Sequence, residues 1–234
     1  MKKEVIIALD VAGKDPAITF LKKFQDTKPY IKVGMELFYH EGPDIVREIK
    51  ALGHPVFLDL KLHDIPHTVE RAMSALAKLG ADIVNVHAAG TTDMMKAAME
   101  GAVKPDGGRS MVIAVTQLTS TSQRVMNKDL LIPGDLEQVV VSYAENVAAA
   151  GLDGVVCSPL ESPLIHQHLG DDFITVTPGI RFATDAVGDQ VRVTTPQRAR
   201  QLGSDMIVVG RSITGAKDPV ETYHRCLREF AAEA

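Results

Sequence analysis

The stretch Asp59-Leu60-Lys61-Leu62-His63-Asp64 places two acids and a lysine close together, directly after the apolar run Val56-Phe57-Leu58. If this segment is a β-strand, its side chains alternate between two faces, and Asp59 and Lys61 point the same way. An ammonium group held beside a carboxylate can stabilise negative charge and deliver a proton. A lone D-x-K pair also fits a surface salt bridge worth about 0 to 1 kcal/mol. Its meaning therefore depends on which other residues converge on it.

Polar residues also follow the other apolar runs of the chain. In chain order they are Asp10, Lys32 with Gly34, Asn85 with His87, Gln117 to Ser120, Ser158, Thr177 to Arg181, and Gly210 with Arg211. Charged side chains are rarely buried unless they are paired. We therefore take Asp10, Lys32, Asp59 and Lys61 as candidate site residues, the alternative being a charge network that only stabilises the fold.

A second candidate site lies near the C-terminus of the chain. Thr177-Pro178-Gly179-Ile180-Arg181 and Val209-Gly210-Arg211-Ser212 each follow an apolar run. Glycine lets the backbone approach a ligand, and an arginine fork matches phosphate oxygens, so the pattern predicts a phosphate site. A tight turn with a surface arginine is the alternative. The polar segment from Arg181 to Thr194 lacks a helical period and is predicted to be a lid.

These residues require elements that bring them to one place. Eight apolar, β-branched runs alternate with helix-like stretches, which predicts parallel βα units. The predicted strands are Glu4 to Asp10, Tyr30 to Gly34, Pro55 to Leu62, Ala81 to His87, Ser110 to Leu118, Gly154 to Ser158, Ile174 to Thr177 and Met206 to Gly210. Eight units in 234 residues favour one (β/α)8 barrel domain spanning residues 1–234, with its site at the C-terminal ends of the strands.

A doubly wound open sheet is the competing architecture. Such a sheet typically carries a G-x-G-x-x-G turn after its first strand, but this chain has Asp10-Val11-Ala12-Gly13-Lys14 there. Within the helical stretches, Asp15-Pro16 suggests the start of a helix, and Gly151 suggests the end of another. These features favour the barrel.

Composition excludes several classes of protein. A net charge of -5 argues against a nucleic-acid or anionic-membrane surface. The apolar run Val5 to Leu9 is too short for a signal peptide or a membrane span, and the distant Cys157 and Cys226 form no redox motif, so we expect a cytoplasmic protein. His63, His67 and His87 fit no metal-binding spacing, so no metal and no cofactor are expected.

With these motifs the chain resembles the orotidine 5′-monophosphate decarboxylase family in its bacterial form. The motifs are A-L-D at Ala8 to Asp10, K-V-G at Lys32 to Gly34, D-L-K-L-H-D-I-P at Asp59 to Pro66, V-T-x-L-T-S at Val115 to Ser120, T-P-G-I-R at Thr177 to Arg181, G-D-Q at Gly188 to Gln190 and V-G-R-S at Val209 to Ser212. His67 departs from the asparagine of many members.

The resemblance implies a metal- and cofactor-free decarboxylase that forms uridine 5′-monophosphate, the last step of pyrimidine nucleotide synthesis. It implies that Lys61 is the proton donor in a charged array of Lys32, Asp59, Lys61 and Asp64. It also implies a homodimer in which Asp64 and Thr68 serve the partner's site. The remaining implied substrate contacts are Asp10 and Lys32 at the ribose, Thr119 at the pyrimidine, and Arg181, Gln190, Gly210 and Arg211 at the phosphate.

Two alternatives remain open at this point. One is a Mg2+-dependent sugar-phosphate decarboxylase or aldolase of the same barrel suprafamily, which shares D-x-K-x-x-D but carries an acid where this chain has Lys32. The other is a non-catalytic protein that binds a phosphorylated ligand, which would have no need of Lys61 between two acids.

Overall fold

Eight parallel strands close into a barrel in the computed structural model, which describes residues 3–183 and 194–231. The strands are β1 (Glu4–Ala8), β2 (Tyr30–Gly34), β3 (Val56–Leu62), β4 (Ile83–His87), β5 (Met111–Val115), β6 (Gly154–Val156), β7 (Ile174–Thr177) and β8 (Met206–Val209). Each strand pairs with its neighbours in chain order, and β8 closes the ring on β1.

Helices connect successive strands and surround the barrel. They are α1 (Lys14–Leu21), α2 (Met35–Glu41), α3 (Asp44–Ala51), α4 (Pro66–Lys78), α5 (Thr91–Gly101), α6 (Gln123–Lys128), α7 (Leu136–Ala149), α8 (Ser162–Leu169), α9 (Pro196–Gln201), α10 (Arg211–Thr214) and α11 (Pro219–Ala231). A 3-10 turn, Ala88–Gly90, precedes α5. In the described residues, no helix has the length and apolar character needed to cross a membrane.

Two apolar layers explain why the strands read as continuous hydrophobic runs. The larger layer lies between the sheet and the helices and includes Val33, Leu58 and Leu60. The smaller layer fills the inside of the barrel and includes Ile6 and Phe57. Because strand residues alternate between these two layers, both faces of each strand are buried. The polar residues at the strand ends are thus left for the rim.

The predicted fold class is confirmed: the chain forms a single (β/α)8 TIM barrel. Some predicted strands extend too far at their C-terminal ends, since β1 ends at Ala8 and β5 at Val115. The polar residues beyond these points have already left the sheet. The predicted helix start at Asp15 is also wrong, because α1 begins at Lys14 with Gly13 as its N-cap.

Candidate active site

Four charged side chains of alternating sign cross the C-terminal mouth of the barrel. Lys61 Nζ lies 2.7 Å from Asp59 Oδ1, and Lys32 Nζ lies 3.4 Å from Asp59 Oδ2. Lys32 Nζ also lies 3.2 Å from Asp10 Oδ1. The contact between Lys61 and Asp59 confirms that the two side chains share one side of β3. The chain of charges runs from the end of β1, through β2, to β3.

The Asp59 carboxylate is the most deeply buried member of this group, at 8% exposed. Burial by itself raises the pKa of a carboxyl group, but the charges of Lys32 and Lys61, with hydrogen bonds from Lys61 and Asn85, outweigh it and lower the pKa of Asp59. Asp59 is therefore ionised at neutral pH. A buried anion of this kind needs its cations close by, which explains the two lysines around it.

The backbone at Lys61 departs from regular strand geometry. Lys61 has φ of +52°, a left-handed conformation that residues with a Cβ adopt at a cost of about 1 to 2 kcal/mol. The pairing of β3 with β4 shifts at the same place, from Leu58 opposite Val84 to Leu62 opposite Val86. Irregular backbone of this kind clusters at functional sites, where it aims a side chain. The pairing of β3 with β4 is therefore irregular beyond Leu58, although Asp59 and Lys61 still share one side of the strand.

Gly34 makes room for the charged chain. A Cβ atom at Gly34 would lie 3.1 Å from Lys32 Nζ and 3.4 Å from Asp10 Oδ1. A side chain there would push against the ammonium group or its carboxylate partner. Glycine at the last position of β2 thus lets Lys32 lie between Asp10 and Asp59.

A cavity of about 310 Å³ opens over Asp59 and Lys61. Its apolar walls include Phe57, Val115 and Pro178, and its polar residues include Thr119 and Gln117. An apolar enclosure with a few convergent polar groups is typical of a small-molecule site. It offers a flat, partly aromatic ligand both packing surface and hydrogen-bonding partners.

A second cavity of about 370 Å³ adjoins the first and shares Lys32, Pro178 and Val208 with it. The other residues that line it are Ala8, Asp10, Gly179, Arg181, Gly210 and Arg211. Two arginines and a lysine on one cavity match a dianion such as phosphate. Because α10 has only four residues, the guanidinium groups, rather than a helix dipole, supply most of this positive character.

Asp64 and Thr68 lie outside these cavities. Both are exposed, as is Ile65, which is 66% exposed. Within the described residues, the Asp64 carboxylate forms no ion pair. It accepts a hydrogen bond at 2.7 Å from the backbone N–H of the next residue, Ile65. The single chain therefore assembles Asp10, Lys32, Asp59 and Lys61, but does not bring Asp64 to Lys61.

The rings of His63 and His87 lie side by side near Lys61, with centroids 5.9 Å apart. Burial, followed by electrostatic interactions with His63 and Lys61, lowers the pKa of His87 and favours its neutral form. In residues 3–183 and 194–231, no three His, Cys, Asp or Glu side chains are arranged to hold a metal ion.

The predicted lid from Arg181 to Thr194 is described only at its ends. Arg181 N donates to Thr194 O at 3.0 Å, and Thr194 N donates to Gly179 O at 3.0 Å. The ends of the segment are thus held together beside the arginine-lined cavity. The predicted phosphate contact Gln190 lies outside the described residues.

Sequence reasoning noted Asn85 at a strand end but gave it no role. Asn85 is 1% exposed, and its Nδ2 donates to Asp59 Oδ1 at 2.7 Å. Its Oδ1 accepts from the Lys61 backbone N at 2.8 Å. The available signal was one amide in the apolar strand Ile83-Val84-Asn85-Val86, but its partners could not be identified from one strand alone.

Comparisons with known proteins identify the family of this chain. Residues 3–226 match the family described as orotidine 5′-phosphate decarboxylase / HUMPS. The chain is 57% identical to the orotidine 5′-phosphate decarboxylase of Bacillus cytotoxicus, over 98% of each chain. It is 53% identical to that of Geobacillus sp. strain WCH70, over 100% of this chain and 99% of the relative.

A solved structure of orotidine 5′-phosphate decarboxylase from Lactobacillus acidophilus also superposes on the barrel. Its TM-score is 0.88 at 41% sequence identity, with 98% of this chain and 100% of that chain covered. Identity at this level over nearly the full length goes beyond a shared barrel fold, which by itself hosts many functions. The chain belongs to the orotidine 5′-phosphate decarboxylase / HUMPS family.

Proposed function

We propose that this protein decarboxylates orotidine 5′-monophosphate to uridine 5′-monophosphate. The observation that carries the proposal is the Lys61 ammonium group, 2.7 Å from the buried Asp59 carboxylate, in a cavity that adjoins a phosphate-sized cavity with two arginines. A nucleotide spans these two cavities with its base over Lys61 and its phosphate at Arg211. The relatives of known name support the same substrate.

Each part of the substrate has a proposed partner in this arrangement. Asp10 and Lys32, which lie at the junction of the two cavities, hold the ribose. Thr119 contacts the pyrimidine from the wall of the first cavity. Arg181, Gly210 and Arg211 bind the phosphate; the family resemblance adds Gln190, which lies outside the described residues, as a further phosphate contact.

The chemical step is a bond cleavage followed by a proton transfer. The bond between C6 and the carboxylate breaks, CO2 leaves, and the electron pair stays on C6 in the ring plane. The Lys61 ammonium stabilises this developing charge and donates one proton to C6; the amine then regains a proton from water. In this proposal fixed charges of the protein do this work, without a metal or an organic cofactor.

Asp59 contributes by keeping Lys61 and Lys32 in place, since both ammonium groups contact its two oxygens. A substrate carboxylate that enters the cavity meets the negative charge of Asp59, and this repulsion favours loss of the carboxylate as neutral CO2. Binding energy from the remote phosphate organises the site for this step.

We further propose a homodimer in which Asp64 and Thr68 complete the site of the partner. The exposure of both residues, with the exposed Ile65 between them, supports this arrangement. An acid reaching Lys61 from a second chain would add a second anion beside the ammonium group.

The purified protein, pretreated with a chelator, is mixed with orotidylate while the ultraviolet absorbance of the substrate is followed. We expect loss of that absorbance and release of CO2 at an undiminished rate. No turnover with or without added Mg2+ would refute the proposed function. Turnover that requires Mg2+ would instead support the metal-dependent sugar-phosphate chemistry of the wider barrel group.

A further inference from the structure

Asn85 joins the two parts of β3 that the proposed chemistry depends on. Its amide donates to Asp59 Oδ1, the same oxygen that Lys61 Nζ contacts at 2.7 Å. Its carbonyl oxygen accepts the Lys61 backbone N–H. Asn85, Asp59 and Lys61 thus close a ring of hydrogen bonds that contains both the backbone and the ammonium group of Lys61.

The ring of hydrogen bonds holds Lys61 at an irregular point of the β3 backbone. The left-handed backbone of Lys61 coincides with the shift in pairing between β3 and β4, where its N–H bonds to the Asn85 side chain rather than to a backbone carbonyl of β4. An unbonded N–H at this depth would cost free energy and favour relaxation of the bulge. Relaxation would move the ammonium group away from its position over the cavity.

The Asn85 amide meets two requirements at this place. The Lys61 N–H needs an acceptor, and the ionised Asp59 oxygen needs a donor. A leucine of similar size offers neither, and an ionised carboxylate offers only the acceptor. The chemistry of the two partners also fixes the orientation of the amide, with Oδ1 toward Lys61 N and Nδ2 toward Asp59.

We propose that Asn85 is a positioning residue for the decarboxylation, acting through the backbone of Lys61 and the carboxylate of Asp59. This inference rests on the proposed function of Lys61 as proton donor. Asn85 lies in the wall of the barrel. Among its described contacts, its side chain forms hydrogen bonds only with the Lys61 backbone and the Asp59 carboxylate, so any effect on the reaction acts through these two residues.

The first test compares Asn85→Ala with Ser110→Ala. Ser110 is a matched control because it is 0% exposed, lies just before the strand after β4, and donates its hydroxyl to Ala81 O at 2.7 Å, far from the mouth. We expect Asn85→Ala to lower kcat about 100-fold, the scale of a displaced catalytic group, with KM within threefold of the original protein. Ser110→Ala should keep both constants.

The second test uses Asn85→Asp, which has the same shape. Beside it lie Lys32, Asp59, Lys61 and His87 as charged or titratable groups. Two carboxyl groups that share one hydrogen bond hold a proton between them, and the protonated form restores both hydrogen bonds of the amide. We therefore expect kcat of this variant to recover toward the original value as pH falls, while Asn85→Ala shows no such recovery.

Several outcomes would overturn the role of Asn85. One is a kcat of Asn85→Ala within twofold of Ser110→Ala at equal folded fraction. Another is a loss confined to KM, and a third is an Asn85→Asp variant whose pH profile parallels that of Asn85→Ala. If the original protein shows no decarboxylation, the proposed function fails first. In that case the NMR chemical shift of Lys61 Cε, assigned by its loss in Lys61→Arg, tests whether Asn85 positions the Lys61 side chain. A Cε shift that is the same in Asn85→Ala as in the original protein would overturn the positioning role.

Discussion

The two ends of the barrel both hold aspartates, but the partners of these aspartates differ. At the N-terminal end, the aspartates that precede β4, β6 and β8 each accept a backbone N–H from the preceding strand. These contacts are Val56 N to Asp82 at 2.7 Å, Val112 N to Asp153 at 2.8 Å and Thr175 N to Asp205 at 2.9 Å. Each aspartate also pairs with a basic side chain, namely Lys50, Arg109 and His166 respectively.

At the C-terminal mouth, the described partners of Asp59 are all side chains: Lys32, Lys61 and Asn85. A backbone N–H cannot leave its carboxylate without disturbing the sheet, whereas an ammonium group on a flexible stem can turn to a ligand. The N-terminal contacts therefore hold the strands together, and the mouth keeps cations available for chemistry. This division agrees with the general placement of function in such barrels.

The largest expected difference between the two ends is in turnover. Lys61→Ala should lower kcat by about 10⁴-fold or more, since it removes both the proposed proton donor and the charge proposed to stabilise C6. Lys50→Ala, which removes the 2.7 Å partner of Asp82 at the other end, is the control and should keep kcat. Steady-state kinetics measure kcat of both variants, and binding of uridine 5′-monophosphate shows whether each variant still forms the ligand site. Near-original turnover by Lys61→Ala would remove Lys61 from the chemical step.

A smaller difference is expected in substrate affinity. Arg211→Ala should raise KM about 10- to 100-fold, because a hydrogen bond to a charged group contributes roughly 1.5 to 3 kcal/mol. Arg109→Ala is the matched control, since it removes the paired 2.6 Å contacts to Asp153 at the N-terminal end. It should lower the melting temperature and leave KM unchanged. An unchanged KM in Arg211→Ala would exclude that residue from the phosphate site.

The smallest expected effect is a pH-dependent change in stability at the N-terminal end. A hydrogen bond to Asp205 raises the pKa of His166, so the pair stabilises the fold fully below the unfolded value of about 6.5 and loses this contribution as pH rises through the folded value. His166→Gln should therefore cost most near pH 5.5 and least near pH 9, by no more than about 1 kcal/mol. Denaturant unfolding of both proteins across this range measures the difference.

The opposite effect of two other histidines cancels in that comparison. Burial lowers the pKa of both His54 and His87, so each disfavours the fold as pH falls below about 6.5. Both are present in the original protein and in His166→Gln. A cost of His166→Gln that grows as pH rises would contradict the assigned pair.

Much of the architecture could be predicted from sequence because burial on both faces makes each strand a continuous apolar run. The eight runs, and the charged residues that end several of them, are local features of the chain. Strand ends were less predictable: the sequence predicts a strand from Ser110 to Leu118, yet β5 ends at Val115. Sheet hydrogen bonds, which depend on the neighbouring strands, determine that boundary.

The sequence alone determined the barrel, the pairing of Asp59 with Lys61, and the separate arginine site, because these depend on periodicity and on residue type at strand ends. Tertiary structure decided which groups meet. It placed Lys32 between Asp10 and Asp59, left Asp64 exposed, and brought Asn85 onto the irregular backbone at Lys61. Such contacts join strands that are distant along the chain, so they arise only when the sheet closes and fixes the register of each strand.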